Sequence, residues 1–248
     1  NGDLVHRMYL EIYGRNYNNA VYNPGAAFIK NVSVEIGGQT IDKQTGVWME
    51  TWSELTQPNP TGHNSPIITN TNLSGNGTAF QNSTGMGGCL MATPVSGNWL
   101  ATDTIYRVPL YFWFCRNPGL ALPLIALQYH EVKIILEHTF NAIWSEASQT
   151  LGALGKHNKL WCDYIYLDTD ERRRFAQVSH EYLIEQVQTQ SIASSAKSQD
   201  INFNHPVKEL IWTCAYGAPG TASSTILKSP NLYQNTKILL KLNGHDRF

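Results

Sequence analysis

An all-β antiparallel sandwich is the fold class this sequence predicts, on three observations. Apolar residues recur at every second position along most of the structured-looking stretches, helical spacing appears only twice and briefly, and Gly, Pro and Asn turn signals separate the strands. A length of 248 residues with 42% hydrophobic content is ample for a buried core.

The elements follow in chain order. "LVHRMYLEI" is a first strand, and "VSVEIGG" is a second that runs into a glycine turn. Trp48, Trp52 and Leu55 recur at i, i+4 and i+7, the spacing of a short helix. "IYRVPLYFWF" places Tyr106, Val108, Leu110, Phe112 and Phe114 on one face and Tyr111 and Trp113 on the other, as for a strand covered on both sides. In "QYHEVKIILEH" the even positions His130, Val132, Ile134 and Leu136 form an inner face, and Glu131, Lys133 and Glu137 a wet one. "WCDYIYLD" is another strand. "DTDERRRFAQ" then opens with Asp168 and Glu171 spaced as in a helix capping box. In "FNHPVKELIW", Pro206 lacks a donor and biases His205 toward an extended conformation, so it fits the first residue of a strand. His205 then sits at a turn, as a packing or capping residue. "TKILLKLNGHDRF" alternates Ile238, Leu240 and Leu242 before an Asn243-Gly244 turn signal, where a further strand is expected. Both chain ends read as cut.

One internal echo stands out. "LVHRMYLEI" followed by "VSVEIGGQTID" is matched in pattern by "VKELIWTC" followed by "KILLKLNGHDRF", each pair ending in a strand that meets a glycine turn. Two copies of one sandwich are one reading of this echo, with the break near "LDTDERRRFAQVSH".

The region from Thr56 to Thr104 is rich in Asn, Thr, Ser and Gly, has few charges and lacks sustained alternation, which predicts a long surface loop. It carries the sequons at Asn72, Asn76 and Asn82, the candidate glycosylation sites. A fourth sequon, at Asn31, falls inside a predicted strand and is the least credible glycan site.

Composition excludes several classes. A net charge of −1 and no extended Lys/Arg block argue against a surface that tracks nucleic-acid phosphates or an anionic bilayer. The longest apolar runs, "VPLYFWF" and "GLALPLIAL", are too short to span a membrane. Cys89, Cys115, Cys162 and Cys214 are widely separated, with no CxxC pair, as expected for buried, reduced thiols. No metal or cofactor is expected. His130-Glu131 and His180-Glu181 resemble the start of HExxH, but Ile134 and Ile184 stand where the second ligand is needed. GxSxG and GxxxxGK[ST] are absent, and "GMGG" lacks the flanking strand and helix of a phosphate loop. Asp163, Asp168, Asp170 and Glu171 offer paired carboxylates for glycoside hydrolysis, although Asp168 and Glu171 are better explained by capping. No catalytic residues are assigned.

"FNHPVKELIW", "NPGLALPLIALQYHEVKI", "WCDYIYLDTDERRRFAQVSHEYLIEQ" and "LNGHDRF" together closely resemble the major capsid proteins of nucleocytoplasmic large DNA viruses, particularly those of algae. The matching blocks run in family order from Asn1 to Phe248, and Thr56 to Thr104 is the stretch without family pattern. The resemblance implies a tandem, double jelly-roll β-sandwich with short helices. Residues 1–168 would be the first jelly roll without its N-terminal part, 169–179 a connector with a short helix, and 180–248 the truncated start of the second.

It also implies a structural virion protein, not an enzyme. Such proteins form homotrimers of roughly hexagonal outline that tile an icosahedral shell, contacting neighbouring capsomers and minor capsid proteins but not nucleic acid. The loop from Thr56 to Thr104 would lie on the outer top of the capsomer. Arg172, Arg173 and Arg174 cannot all face one way, so one is expected to reach a neighbouring roll or chain. The rival reading is a glycan-binding or glycan-cleaving sandwich, suggested by Trp99, Tyr106 and Trp113. That reading requires aromatics and polar groups in an exposed groove, whereas a capsid roll buries its aromatics.

Overall fold

The computed structural model describes residues 2–15, 24–56, 86, 103–138, 158–191, 198–212, 239–242 and 244–246. Two sheets face each other across a single core. In the first, β1 (Leu4–Arg15) lies between β4 (Asp103–Pro109) and β7 (Lys159–Ile165), and the short β5 (Leu122–Pro123) extends the β4 side. In the second, β2 (Ile29–Ile36) lies between β3 (Gln39–Thr45) and β6 (Val132–His138). All of these pairs are antiparallel, and the chain changes sheet between β1 and β2, β3 and β4, β5 and β6, and β6 and β7.

Alternation builds the core as expected. Met8, Leu10 and Ile12 of β1, Val32 and Val34 of β2, and Tyr106 and Val108 of β4 are buried in one cluster with Leu110, Phe112 and Phe114. Phe112 and Phe114 stack at 5.7 Å, and Trp113 meets Phe114 edge-on at 5.1 Å. In β6, Val132, Ile134 and Leu136 are half-buried while Lys133, Ile135 and Glu137 are exposed.

The β2–β3 turn is a two-residue hairpin whose central Gly37 and Gly38 have φ of 58° and 83°. Positive φ at both positions matches the right-handed twist of the flanking strands and favours glycine. Beyond it, Val34 pairs with Asp42 and Glu35 with Thr40, so Ile41 has no partner on β2 and forms a bulge.

Among the described residues four α-helices accompany the sheets: α1 (Pro24–Phe28), α2 (Gly46–Thr56), α3 (Trp113–Arg116) and α4 (Thr169–Gln177). The α2 helix stacks Trp48 on Trp52 at 5.3 Å, but its buried side presents Met49 and Ser53, and Leu55 is 61% exposed. The short helix expected from the i, i+4, i+7 spacing is present, and its apolar stripe is not its buried side. Gly46 is required by packing: a Cβ there would lie 2.2 Å from the Ala26 carbonyl oxygen and 2.4 Å from that of Ile29.

Two expectations need correction. "IYRVPLYFWF" is not one strand, because β4 ends at Pro109 and α3 takes Trp113–Arg116; proline supplies no donor to continue the ladder. "FNHPVKELIW" forms no backbone ladder, and His205 and Pro206 are exposed. Residues 199–204, which lead into this stretch, run antiparallel to residues 188–191 through side-chain rungs. Asn204 N–H donates to Gln188 Oε1 at 3.0 Å, Asn202 N–H to Gln190 Oε1 at 3.2 Å, and Gln199 Nε2 to the Ser191 carbonyl at 3.0 Å. At the far end β8 (Lys241–Leu242) pairs with β9 (His245–Asp246), with Gly244 between them at φ 78°.

Candidate interaction surface at the end of the first sandwich

The residues proposed for catalysis are not brought together. Asp163, Asp168, Asp170 and Glu171 are exposed, and Asp168 caps α4, its Oδ1 accepting from Glu171 N–H at 2.8 Å. His130 is exposed beside the Gly37 turn, whereas His180 stacks on Phe175 at 4.7 Å with Nε2 2.9 Å from the Phe175 carbonyl. Among the described residues no cluster of three His, Cys, Asp or Glu side chains could hold a metal. Likewise, no helix among them is long and apolar enough to cross a membrane.

Two of the three aromatics named for a glycan site are core residues, although Tyr129, Trp161, Tyr164, Tyr166 and Trp212 are exposed. Tyr106 and Trp113 are 2% and 3% exposed, and Trp99 lies outside the described residues. An open cleft of about 390 Å³ beside α4 gathers Tyr129, Phe175, His180 and Tyr182, and no carboxylate among the described residues lines it. Paired-carboxylate chemistry has no footing there.

Asn72, Asn76 and Asn82 lie outside the described residues, as does nearly all of the predicted loop. Asn31 is buried on β2, and its Nδ2, the atom a glycan would occupy, donates to Glu137 Oε2 at 2.8 Å. That bond, with Lys30, holds the Glu137 carboxyl below its ordinary range. Cys89 and Cys214 also lie outside the described residues, while Cys115 and Cys162 are free. Burial pushes the Cys115 thiol up to about 12, a value at which it is inert.

What the structure does gather is polar contact between the first sandwich and the residues that follow it. At one point Asp3, buried at the start of β1, accepts from Leu167 N–H at 2.8 Å and pairs with Arg172 of α4, whose Nη2 lies 2.9 Å away. Of the three consecutive arginines, Arg172 is thus one that reaches the first sandwich. The Leu167 and Arg172 contacts hold the Asp3 carboxyl below its usual range.

A second point lies on β3. Asp42 is 3% exposed; its Oδ1 accepts from Lys43 N–H and Val187 N–H, both at 2.9 Å, and its Oδ2 from Gln44 Nε2 at 2.8 Å. Desolvation raises its pKa despite these bonds. Nearby, the Arg116 guanidinium sits 4.3 Å over the Trp52 ring, donates to the Tyr111 carbonyl at 3.1 Å and pairs with Glu185 at 2.7 Å. Lys208 reaches the other oxygen of Glu185, whose carboxyl is held low chiefly by that bond. Sequence reasoning missed this set. Its one visible signal was glutamine at every second position, Gln186, Gln188 and Gln190, in "EQVQTQ".

Comparison with known proteins gives the context. Residues 1–168 match the family described as major capsid protein N-terminus, and residues 171–248 that described as large eukaryotic DNA virus major capsid protein. The whole chain is 46% identical to 57% of the major capsid protein of Pyramimonas orientalis virus, and 94% of it is 41% identical to half of that of Phaeocystis pouchetii virus. With the corresponding protein of Paramecium bursaria Chlorella virus 1 the identity is 33%, over all of this chain and 60% of the relative. The chain therefore spans roughly half to three fifths of these relatives. A chain of the quasi-atomic PBCV-1 virus capsid superposes with a TM-score of 0.60 at 30% identity, over all of this chain and 64% of that one.

Proposed function

Because the chain belongs to the major capsid proteins of large eukaryotic DNA viruses, we propose that it is part of a subunit that trimerises into capsomers of roughly hexagonal outline and tiles an icosahedral virion shell. The supporting observation is that two capsid-family matches run nearly end to end over a double jelly-roll chain, with Tyr106, Phe112, Trp113 and Phe114 packed in its core. Three copies of a subunit with two similar sandwiches present six stiff walls, and closed symmetry reuses one surface at each contact. The work is assembly, with no catalytic step and no cofactor.

In this reading residues 1–168 belong to the first roll, 169–179 to the connector and 180–248 to the opening of the second. Thr56 to Thr104 faces outward on the capsomer, and Asn72, Asn76 and Asn82 are its glycan acceptors. Partners are further copies, neighbouring capsomers and minor capsid proteins, and the near-neutral net charge suits a shell that leaves the genome untouched. The location is the virion capsid, assembled in the host cell.

Light scattering behind size exclusion, with negative-stain images of the same peak, tests this on the full-length protein. A trimer with a six-sided outline is expected. A monomer that stays monomeric with its minor capsid proteins present, and that binds glycans in a screen, overturns it.

A further inference from the structure

The edge strand β3 departs from regular pairing in two ways. A carboxylate at 3% exposure is expensive to desolvate, and an apolar residue opposite Val34 would pack there at less cost. The bulge at Ile41 interrupts a ladder that regular pairing would complete. Both departures are used by two consecutive residues of one later segment, and the residue before them is held beside the edge by Arg116. Glu185 pairs with Arg116, Gln186 Nε2 donates to the carbonyl of the bulged Ile41, and Val187 N–H donates to Asp42.

The receiving side is organised by the first sandwich alone. Gln44 holds Asp42 while also donating to the Tyr111 carbonyl at 2.9 Å, and Trp52 and Tyr111 hold Arg116. A preformed receptor of this kind fixes one register of an incoming segment at low ordering cost. A shift of the segment by one residue would put a side chain where the Val187 amide must point and leave Asp42 buried without that donor.

We propose that the bulged edge of β3, with Asp42 and the Ile41 carbonyl at its centre and Arg116 beside it, is the docking site that registers the second half of the chain on the first. Its occupant is the segment Glu185–Val187 of the same chain. Asp42 is a positioning residue: it sets where the second sandwich starts, and so whether three copies can close into a capsomer. The docking itself stands apart from the proposed function; only the effect on closure rests on it.

The test uses the full-length protein as wild type, Asp42→Ala and Gln186→Ala, followed by hydrogen exchange read by mass spectrometry and by trimer content in light scattering. In Asp42→Ala the amides of residues 185–188 should exchange at least ~10-fold faster while those of β2 and β6 keep wild-type protection, and the trimer fraction should fall. Unchanged protection at 185–188 overturns the docking site. Faster exchange there with a wild-type trimer fraction overturns the effect on closure. Should Asp42→Ala loosen β2 as well, Gln186→Ala decides, since that side chain is exposed and its loss leaves the core intact. Selective loosening of 185–188 supports the proposal, and none overturns it. If the wild type forms no trimer, the function proposed above fails while the exchange result still judges the docking site.

Discussion

Arg172 lays its guanidinium along Asp3, with Nε and Nη2 at 3.0 and 2.9 Å from the same carboxylate oxygen, across 169 positions of sequence. The same oxygen accepts the Leu167 N–H, so one side chain fixes both the exit from β7 and the first turn of α4.

Asp3→Ala should therefore cost more stability than Arg172→Ala. The first strips a buried backbone N–H and a guanidinium of their acceptor, and the second removes a half-exposed cation. Denaturant unfolding of both variants checks the order, and equal midpoints would refute it.

The carboxylates predict opposite pH slopes. Asp3 and Glu185 have pKa values lowered from 3.8 and 4.5, so their stabilisation is full above those values and is lost as pH falls through the lowered ones. Asp42 is raised from 3.8; its contribution is full below that value and is lost as pH rises through the raised one. In thermal melts from pH 2 to 7, Glu185→Gln should flatten the acid loss, while Asp42→Asn should remove a decline on raising pH.

Packing sets the largest single costs. Phe114→Ala empties a fully buried ring site beside Phe112 and Trp113, and a loss of ~3–5 kcal/mol is expected in chemical unfolding. Gly46→Ala drives a methyl into two backbone carbonyls that have no rotamer to yield, with an expected loss of about 3 kcal/mol or more.

Peptide mapping of protein made in a glycosylating host should find Asn31 unmodified, because its amide nitrogen is already bonded to Glu137 inside the sheet. Glycan on Asn31 in folded protein would contradict the burial seen on β2. In the same experiment at pH 8, maleimide should label Cys115 only after unfolding.

Period-two patterning carried most of the first sandwich. Tyr106, Val108 and Leu110 lie inside as read, and Asp168 caps its helix as the Asp168/Glu171 spacing implied. The break at Pro109 escaped because apolar alternation continues past it to Phe114, and periodicity alone cannot tell a covered strand from a short buried helix. The spacing of Trp48, Trp52 and Leu55 gave the helix but not its buried side, because three apolar positions define a stripe without saying which side of α2 meets the sheet. The polar junction was illegible for another reason. Asp42 and Val187 are 145 positions apart, and neither stands out as a site residue until the fold makes them neighbours.

The unpaired residue in β3 has a consequence for how the two halves depend on each other. Removing Ile41 would let Asp42 and Thr40 follow each other opposite Val34 and Glu35, giving an uninterrupted ladder with the Gly37-Gly38 turn unchanged. What would vanish is the spare carbonyl that Gln186 occupies. A one-residue insertion in a hairpin thus places the carbonyl that a residue 145 positions later takes up.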